Sequence, residues 1–346
     1  MKRVLALVTA LLLLPLSALA EEWIVVDAQD VGEAPIALTE PLPTLAPRTA
    51  SMLAALPDKL TAAAEIDADG YLLTGETVYK DEANGIYRYN SPDLRVEITR
   101  HNDVSPRVVW HEAQIYSRNG TLFQVVVNDP ENPLKAVEQS IIARKNRTVF
   151  AINGDFSHLR LSWKATAGIL IRGGEIVSSK TLSAKATKYP NLDNLALFPD
   201  GRMAACDRNA YTAEEYLSMG AYDVLAFGPV LLHEGVLNEA DFHRYGWERA
   251  PRTALGMVEP GHYVAIMVEG RRDDTKGWSV THMAEHMQAL GVQEALNLDG
   301  GQSAAMLFMG EQISRIGNTT KEDADARRAA EIVGIGTSEL VREAAE

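Results

Sequence analysis

The sequence predicts an α+β protein whose core is a mixed β-sheet with flanking helices and several hairpins. Many short segments alternate apolar and polar residues, as half-buried strands do. Glycine-containing turns separate several pairs of these segments, which is typical of hairpins. Residues 281–290 carry an amphipathic helix pattern that ends before Gly291. Polar residues stand at several strand ends, so we expect these ends to converge on one active-site rim.

The first twenty residues have the pattern of a secretory signal peptide. Residues 1–3 are a short basic start, residues 4–14 are apolar, and Ala18-Leu19-Ala20 is an A-x-A cleavage pattern. The apolar stretch is short for a transmembrane helix, although an uncleaved membrane anchor is the alternative. We therefore expect a secreted or periplasmic protein without a membrane span once residues 1–20 are removed.

Charge and cysteine content limit the classes of partner and of fold. The formal net charge of the 346 residues is -14, and it becomes -16 when Lys2 and Arg3 leave with the leader. Because phosphate backbones repel an acidic protein, we expect no nucleic-acid partner. The single Cys206 cannot form an internal disulfide, and no histidine pattern near it favours a nucleophile. The fold must therefore rest on its hydrophobic core.

Residues 21–75 differ from the remainder of the chain. Five prolines between positions 35 and 57 interrupt Ala- and Leu-rich pieces, which predicts an N-terminal extension or linker. A single domain is expected over residues 76–340. Its predicted elements, in order, are strands at 94–101 and 107–118, a helix at 135–145, a strand at 147–153, hairpins at 169–179, 195–205 and 226–237, strands at 254–258 and 261–274, the helix at 281–290, and strands at 295–298 and 304–309.

Polar clusters follow or open four of the predicted strands. They occupy residues 153–155, 251–253, 269–272 and 297–303. Asp155, Glu269 and Asp299 supply carboxylates, which suit general acid/base chemistry on a sugar.

Two arginines and a glycine pair in these clusters suit an anion. Arg252 and Arg271 carry planar guanidinium groups that match phosphate or carboxylate. Gly300, Gly301 and Gln302 offer successive backbone N–H groups that could form an anion-binding nest. The combination favours a ligand with both a sugar and an anionic group.

Structural explanations compete with this interpretation. Asp299-Gly300-Gly301 and Asn153-Gly154 are both ordinary turn sequences. The run from Arg271 to Asp274 suits a solvated charged surface. His282 and His286 have the i,i+4 spacing of metal ligands, but a solvent-facing pair is the alternative because no zinc-protease pattern surrounds them.

The ordered set of motifs resembles the phosphodiester glycosidase family, over roughly residues 95–338. The blocks that carry the resemblance are "FAINGDF", "GILIRGGEI", "AFGPVLLHEG", "PRTALGM", "VEGRR" and "LGVQEALNLDGGQSAAM". The resemblance implies an α+β fold around a mixed sheet and hydrolysis of a sugar phosphodiester. The positions that match the family's motifs are Asn153, Asp155, Arg252, Thr253, Arg271, Asp299, Gly300, Gly301 and Ser303. Two positions depart from the usual pattern: Glu269 replaces an aspartate and Gln302 replaces a third glycine.

The resemblance also implies roles for these residues. Asp299 is the first candidate to activate water or stabilise the anomeric carbon, with Glu269 or Asp155 as the second carboxylate. Arg252, Arg271 and the glycine nest would hold the phosphate, with Asn153, Thr253 and Ser303 as further binding residues. No cofactor is implied with certainty, although a carboxylate-rich rim could hold a divalent cation.

The predicted function is exported hydrolysis of a sugar 1-phosphodiester, on envelope or extracellular glycans, to free sugar and a phosphomonoester. Two alternatives stay open. A non-catalytic module would bind glycans with the same rim, and a phosphodiesterase would cut the other P–O bond and release sugar 1-phosphate.

Overall fold

Three antiparallel β-sheets form the framework of the described part of the chain. The structure is a computed structural model that describes residues 66–104, 107–132, 135–156, 168–180, 192–239, 242, 248–317 and 324–342. All of them belong to one unit, Ala46–Glu346. The predicted signal peptide and residues 21–65 of the predicted extension lie outside the described residues. Tyr71 and Leu72, inside the predicted extension, are buried.

The largest sheet has nine strands, numbered in chain order. In spatial order they are β1 (Thr77–Asp81), β2 (Ile86–Asn90), β3 (Leu94–Val104), β4 (Arg107–Ser117), β15 (His262–Val268), β14 (Arg252–Glu259), β16 (Glu294–Leu298), β12 (Val230–His233) and β13 (Val236–Leu237).

Two five-stranded sheets complete the strand architecture. The first contains β10 (Met203–Cys206), β9 (Asp193–Leu197), β11 (Asp223–Phe227), β7 (Gly168–Arg172) and β8 (Glu175–Lys180). The second contains β18 (Glu311–Gln312), β17 (Met306–Phe308), β6 (Thr148–Asn153), β19 (Glu331–Thr337) and β5 (Gln124–Val127). The helices of the described ranges are α1 (Gln139–Lys145), α2 (Ala213–Ser218) and α3 (Val280–Ala289).

The core sits on both faces of the large sheet. In β15 the alternate residues Tyr263, Ala265 and Met267 join the core cluster that also contains residues of β6 and β9. The residues between them pack with Met283 and Met287 of α3 on the opposite face. Because both faces are covered, all seven residues of β15 are buried, although an antiparallel strand usually has one solvated face.

The prediction of a mixed sheet is wrong for the described strands, because every described strand pair is antiparallel. The order strand–helix–strand over β15, α3 and β16 suggests a parallel pair. β14 lies between β15 and β16 instead, and it is antiparallel to both. The α+β class itself, rich in β-strands, is confirmed.

Local sequence signals located the start of α3 well but not the start of α1. Ser279 caps α3 by accepting the N–H of His282 at 3.1 Å, so the helix begins close to its predicted start. The helix predicted at 135–145 begins only at Gln139, because Val137 forms a β-bridge with Ala329. No helix within the described ranges is long and apolar enough to cross a membrane.

Candidate functional site

The register of the large sheet brings three of the predicted polar clusters to one edge. Arg252, the first residue of β14, is opposite the last residue of β15, and Thr253 is opposite the last residue of β16. Glu269 and Asp299 each follow directly after those neighbouring strands. We refer to this end of β14, β15 and β16, with the loops that leave it, as the site edge.

Asn153 joins the fourth cluster to the site edge. It is fully buried at the end of β6, and its Nδ2 donates to the backbone oxygen of Asp299 at 2.8 Å. Its Oδ1 accepts from the hydroxyl of Thr253 at 2.7 Å and from the N–H of Ala305 at 3.1 Å. Since these bonds connect β6, β14 and the loop after β16, Asn153 and Thr253 fix the position of the Asp299 loop.

Asp299 is a buried carboxylic acid whose Oδ2 has no hydrogen-bond partner among the described residues. Burial raises the pKa of Asp299 to about 6; the negative charge of Asp155 adds to this rise, while Ser303 and Arg327 oppose it. A carboxyl with such a pKa can exchange a proton near neutral pH, as a general acid or base must.

Arg327 lies beside Asp299 and is absent from the sequence-based candidates. Its Nη1 is 3.4 Å from the hydroxyl oxygen of Ser303, and its backbone N–H donates to the carbonyl oxygen of Gln302 at 2.7 Å. Gln139 Nε2 donates to the carbonyl oxygens of both Ser303 and Arg327, at 2.9 and 3.1 Å. The segment with Arg327 is thereby fixed against the Asp299 loop, with a cation next to the carboxyl.

Two guanidinium groups lie near each other at the site edge. Arg252 donates from Nε to the carbonyl oxygen of Trp278 at 2.8 Å and from Nη2 to that of Glu248 at 2.7 Å. Burial lowers the pKa of Arg252 to about 10; Glu248 opposes this effect and the positive charge of Arg271 adds to it. Arg271 forms a 3.2 Å ion pair with the exposed carboxylate of Glu248. A pair of cations with one exposed counter-ion suits an anionic ligand.

Gly300 and Gly301 let the Asp299 loop approach the segment before β14. A Cβ at Gly300 would lie 2.6 Å from the carbonyl oxygen of Pro251, and Gly301 has a φ of +64°. A Cβ at Gly301 would lie 3.3 Å from Nη1 of Arg271, so the guanidinium is adjacent to the loop. The N–H of Gly301 donates to Pro251 at 3.0 Å, so one N–H of the expected nest is already occupied.

Glu269 has both side-chain oxygens hydrogen-bonded. Oε1 lies 3.2 Å from Nε2 of His111 and accepts the backbone N–H of Arg315 at 3.1 Å, and Oε2 accepts from Nε of Arg315 at 2.8 Å. Burial raises its pKa, but His111 and Arg315 outweigh this effect and lower the pKa of Glu269 to about 2. Glu269 therefore stays ionised in a buried network that joins β15, β4 and the segment with Arg315.

Asp155 is buried in a different network, in the loop after β6. Its Oδ2 accepts the N–H of Ala226 at 3.1 Å and lies 3.3 Å from Nη2 of Arg172. Arg172 in turn binds both carboxylate oxygens of Glu331, at 2.9 and 2.7 Å. These partners come from β11, β7 and β19, so no sequence motif could have joined them to Asp155.

No group of three His, Cys, Asp or Glu side chains in the described ranges is arranged to hold a metal ion. Nε2 of His286 lies 3.1 Å from Oε2 of Glu112. The ring of His282 packs edge-on against Trp278, with centroids 4.6 Å apart. The two histidines thus pack among aromatic rings, and the i,i+4 spacing reflects that packing.

The fold and the site together define a β-rich α+β protein in which a buried carboxyl with a raised pKa lies at the same edge as a pair of arginines. The family model for phosphodiester glycosidases matches residues 146–336, more than half of the chain. The chain therefore belongs to the phosphodiester glycosidase family, which confirms the resemblance identified from the motifs.

One solved structure shows the same fold at low sequence identity. The catalytic domain of zebrafish N-acetylglucosamine-1-phosphodiester alpha-N-acetylglucosaminidase, auto-inhibited by its pro-peptide, matches with a TM-score of 0.57 and 17% identity. The match covers 76% of this chain and 88% of that chain. A hypothetical protein from Synechocystis matches with a TM-score of 0.48 and 14% identity, over 71% of this chain and 62% of that chain. No curated protein is significantly similar.

Proposed function

We propose that this protein is an exported hydrolase that cleaves the C1–O bond of a sugar 1-phosphodiester on envelope or extracellular glycans. The products would be a free sugar and a phosphomonoester. Membership of the phosphodiester glycosidase family supports the class of reaction. Export is supported by the leader pattern of residues 1–20. The observation that carries the proposal is the buried Asp299, whose loop also contacts Arg271.

The chemistry assigned to Asp299 is that of a general base. Its carboxylate takes a proton from a water molecule as the water oxygen forms a bond to C1 of the sugar. The C1–O bond breaks, and its electron pair leaves with the phosphate. A phosphomonoester is a stable anion, so this leaving group needs less protonation than an alcohol does.

Cations at the site edge would stabilise the charge that develops on the phosphate. Arg271 is the first candidate, because its guanidinium lies beside Gly301 and forms its ion pair with the exposed carboxylate of Glu248. Arg252, at the start of β14, and Arg327, beside Ser303, add further positive charge near the Asp299 loop. Electrostatic stabilisation of this kind is strong in a site from which water is excluded.

The two other predicted carboxylates receive supporting roles. Both oxygens of Glu269 are held by His111 and Arg315, which favours an anchoring role. Asp155 is held by Arg172 and acts on Asp299 through its charge. Asn153, Thr253 and Ser303 would position the Asp299 loop and the substrate.

Product analysis in ¹⁸O-labelled water tests the proposal. A panel of sugar 1-phosphodiesters should yield labelled free sugar and an unlabelled phosphomonoester, because the attacking oxygen stays on C1. Sugar 1-phosphate with label in the phosphate would show a phosphodiesterase instead. Binding of the same compounds without turnover would show a glycan-binding module.

A further inference from the structure

Glu331 reaches the loop between Asn153 and Asp155 through a gap left by a glycine. A Cβ at Gly154 would lie 3.1 Å from Cγ of Glu331 and 3.2 Å from its carbonyl oxygen. The first residue of β19 therefore packs directly against the loop that carries Asp155. A larger residue at position 154 would push the two apart.

Arg172 connects Glu331 to Asp155 and has little freedom to move. Its Nε and Nη2 form the two-point fork with Glu331, and Nη2 also faces Oδ2 of Asp155 at 3.3 Å. Nη1 donates to the carbonyl oxygens of Ile171 and Val224, at 2.9 and 2.6 Å. A guanidinium with so many partners is fixed in orientation, since its planar fork leaves few alternative geometries.

The charges of Arg172, Glu331 and Asp155 are coupled to the pKa of Asp299. Burial lowers the pKa of Arg172, but the negative charges of Glu331, Asp155 and Asp223 outweigh it, so the pKa is raised and Arg172 stays a cation. The negative charge of Asp155 raises the pKa of Asp299, and the positive charge of Arg327 lowers it. Any change in how strongly Arg172 neutralises Asp155 is therefore felt at Asp299.

We propose that Glu331 and Arg172 are positioning residues that hold Asp155 near Asp299, in the same loop whose Asn153 binds the backbone oxygen of Asp299. Neither residue contacts the reacting atoms in this assignment. The inference rests on the proposed function for its effect on turnover, but its electrostatic part concerns the protein alone.

Substitution of Glu331 by glutamine should lower the pH at which Asp299 loses its proton. Glu331→Gln removes one negative charge and frees Arg172 to neutralise Asp155 more fully. Both changes make the surroundings of Asp299 less negative, so its proton dissociates at lower pH. We expect the midpoint of Asp299 titration to fall by roughly half a pH unit.

The experiment is a carboxyl ¹³C NMR titration of the full chain labelled at aspartate, with the Asp299 signal assigned from Asp299→Asn. Glu339→Gln is the matched control, since it removes the same charge from an exposed side chain just beyond β19. A lower midpoint in Glu331→Gln but not in Glu339→Gln supports the proposal. An unchanged midpoint in Glu331→Gln, or an equal shift in both variants, overturns it.

Two further measurements distinguish this proposal from the proposed function. With a substrate, the acidic limb of kcat/KM should move with the NMR midpoint. If no sugar phosphodiester is turned over, the proposed function fails while the titration still decides the role of Glu331.

If Glu331→Gln does not fold, Arg172→Lys decides: it keeps the charge but loses the fork, and kcat should fall about tenfold at nearly unchanged KM. Unchanged kcat in that variant would overturn the inference.

Discussion

Glu269 and Asp299 are both buried carboxylates placed directly after strands of the same sheet, yet their surroundings have opposite effects. Glu269 is held by His111 and Arg315 on both oxygens, and its pKa is lowered to about 2. Asp299 keeps an oxygen without a hydrogen bond from the described residues, and its pKa is raised to about 6. Burial raises the pKa of both; the partners decide the net result.

Glu269 has the hydrogen bonds of an anchoring carboxylate, whereas Asp299 has the free oxygen and raised pKa that the proposed general base requires. A buried carboxylate that is fully hydrogen-bonded stays charged and stabilises the fold once it is paired. A buried carboxylate with a free oxygen costs stability when charged and is ready to accept a proton. The two regions should therefore respond to substitution in opposite ways.

The largest expected effect is on turnover in Asp299→Asn. Loss of the general base should lower kcat by about 10³-fold. The folded-state pKa of Asp299 is above the ordinary value of 3.8, so its ionised form costs stability as pH rises from about 4 through 6. The asparagine variant should thus be more stable than the parent by roughly 3 kcal/mol at pH 7, with little difference near pH 3.

Steady-state kinetics and urea unfolding at the two pH values measure both effects. Asp200→Asn, at an exposed turn residue, is the matched control and should leave kcat unchanged. Full activity in a folded Asp299→Asn variant would remove Asp299 from the mechanism.

Glu269→Gln should show the opposite stability change. The folded-state pKa of Glu269 is depressed, so its stabilisation is present above about pH 4.5 and is lost as pH falls towards 2. At pH 7 the variant should unfold more easily by roughly 3 kcal/mol, and kcat should stay within about tenfold of the parent.

Urea unfolding at pH 7 and pH 3 checks this prediction against Glu311→Gln. That control breaks an exposed pair with Lys80 and should cost about 1 kcal/mol or less. Unaltered stability together with a kcat loss above about 10²-fold would make Glu269, rather than Asp155, the second catalytic carboxylate.

A smaller effect is expected for Arg271, one of the two arginines at the site edge. Arg271→Gln removes a guanidinium beside Gly301, so it should raise KM for a sugar phosphodiester about tenfold and change kcat less. The exposed Arg342→Gln variant removes the same charge elsewhere and serves as the control. Equal KM values in the two variants would place the phosphate away from Arg271.

The smallest effect is expected at Gln302, one of the two departures from the family pattern. Its backbone oxygen accepts the N–H of Arg327 at 2.7 Å, a contact that any residue provides. Gln302→Gly should therefore leave kcat/KM within about threefold of the parent. The corresponding change in activation free energy is less than the free energy of one hydrogen bond. A larger change would show that the Gln302 side chain contacts the substrate.

Some elements were predictable from short-range signals and others were missed despite them. The capping box of Thr212 and Glu215, which begins α2, is a local signal that predicts a helix start. The β-branched residues of 331–337 likewise favour a strand, and β19 forms there. The wrong prediction of a mixed sheet has another origin, because only tertiary contacts insert β14 between β15 and β16.

The sequence by itself determined that carboxylates, arginines and glycines stand at the ends of apolar strands, because strand period and turn chemistry are local properties. It also determined the family, since the motifs keep their order along the chain. Only the tertiary structure decided which buried carboxyl has a lowered pKa and which has a raised one. The carboxylates are contacted by residues distant in sequence, namely His111, Arg172 and Arg315, and Arg327 acts on Asp299 through its charge. A pKa depends on charges and burial in space.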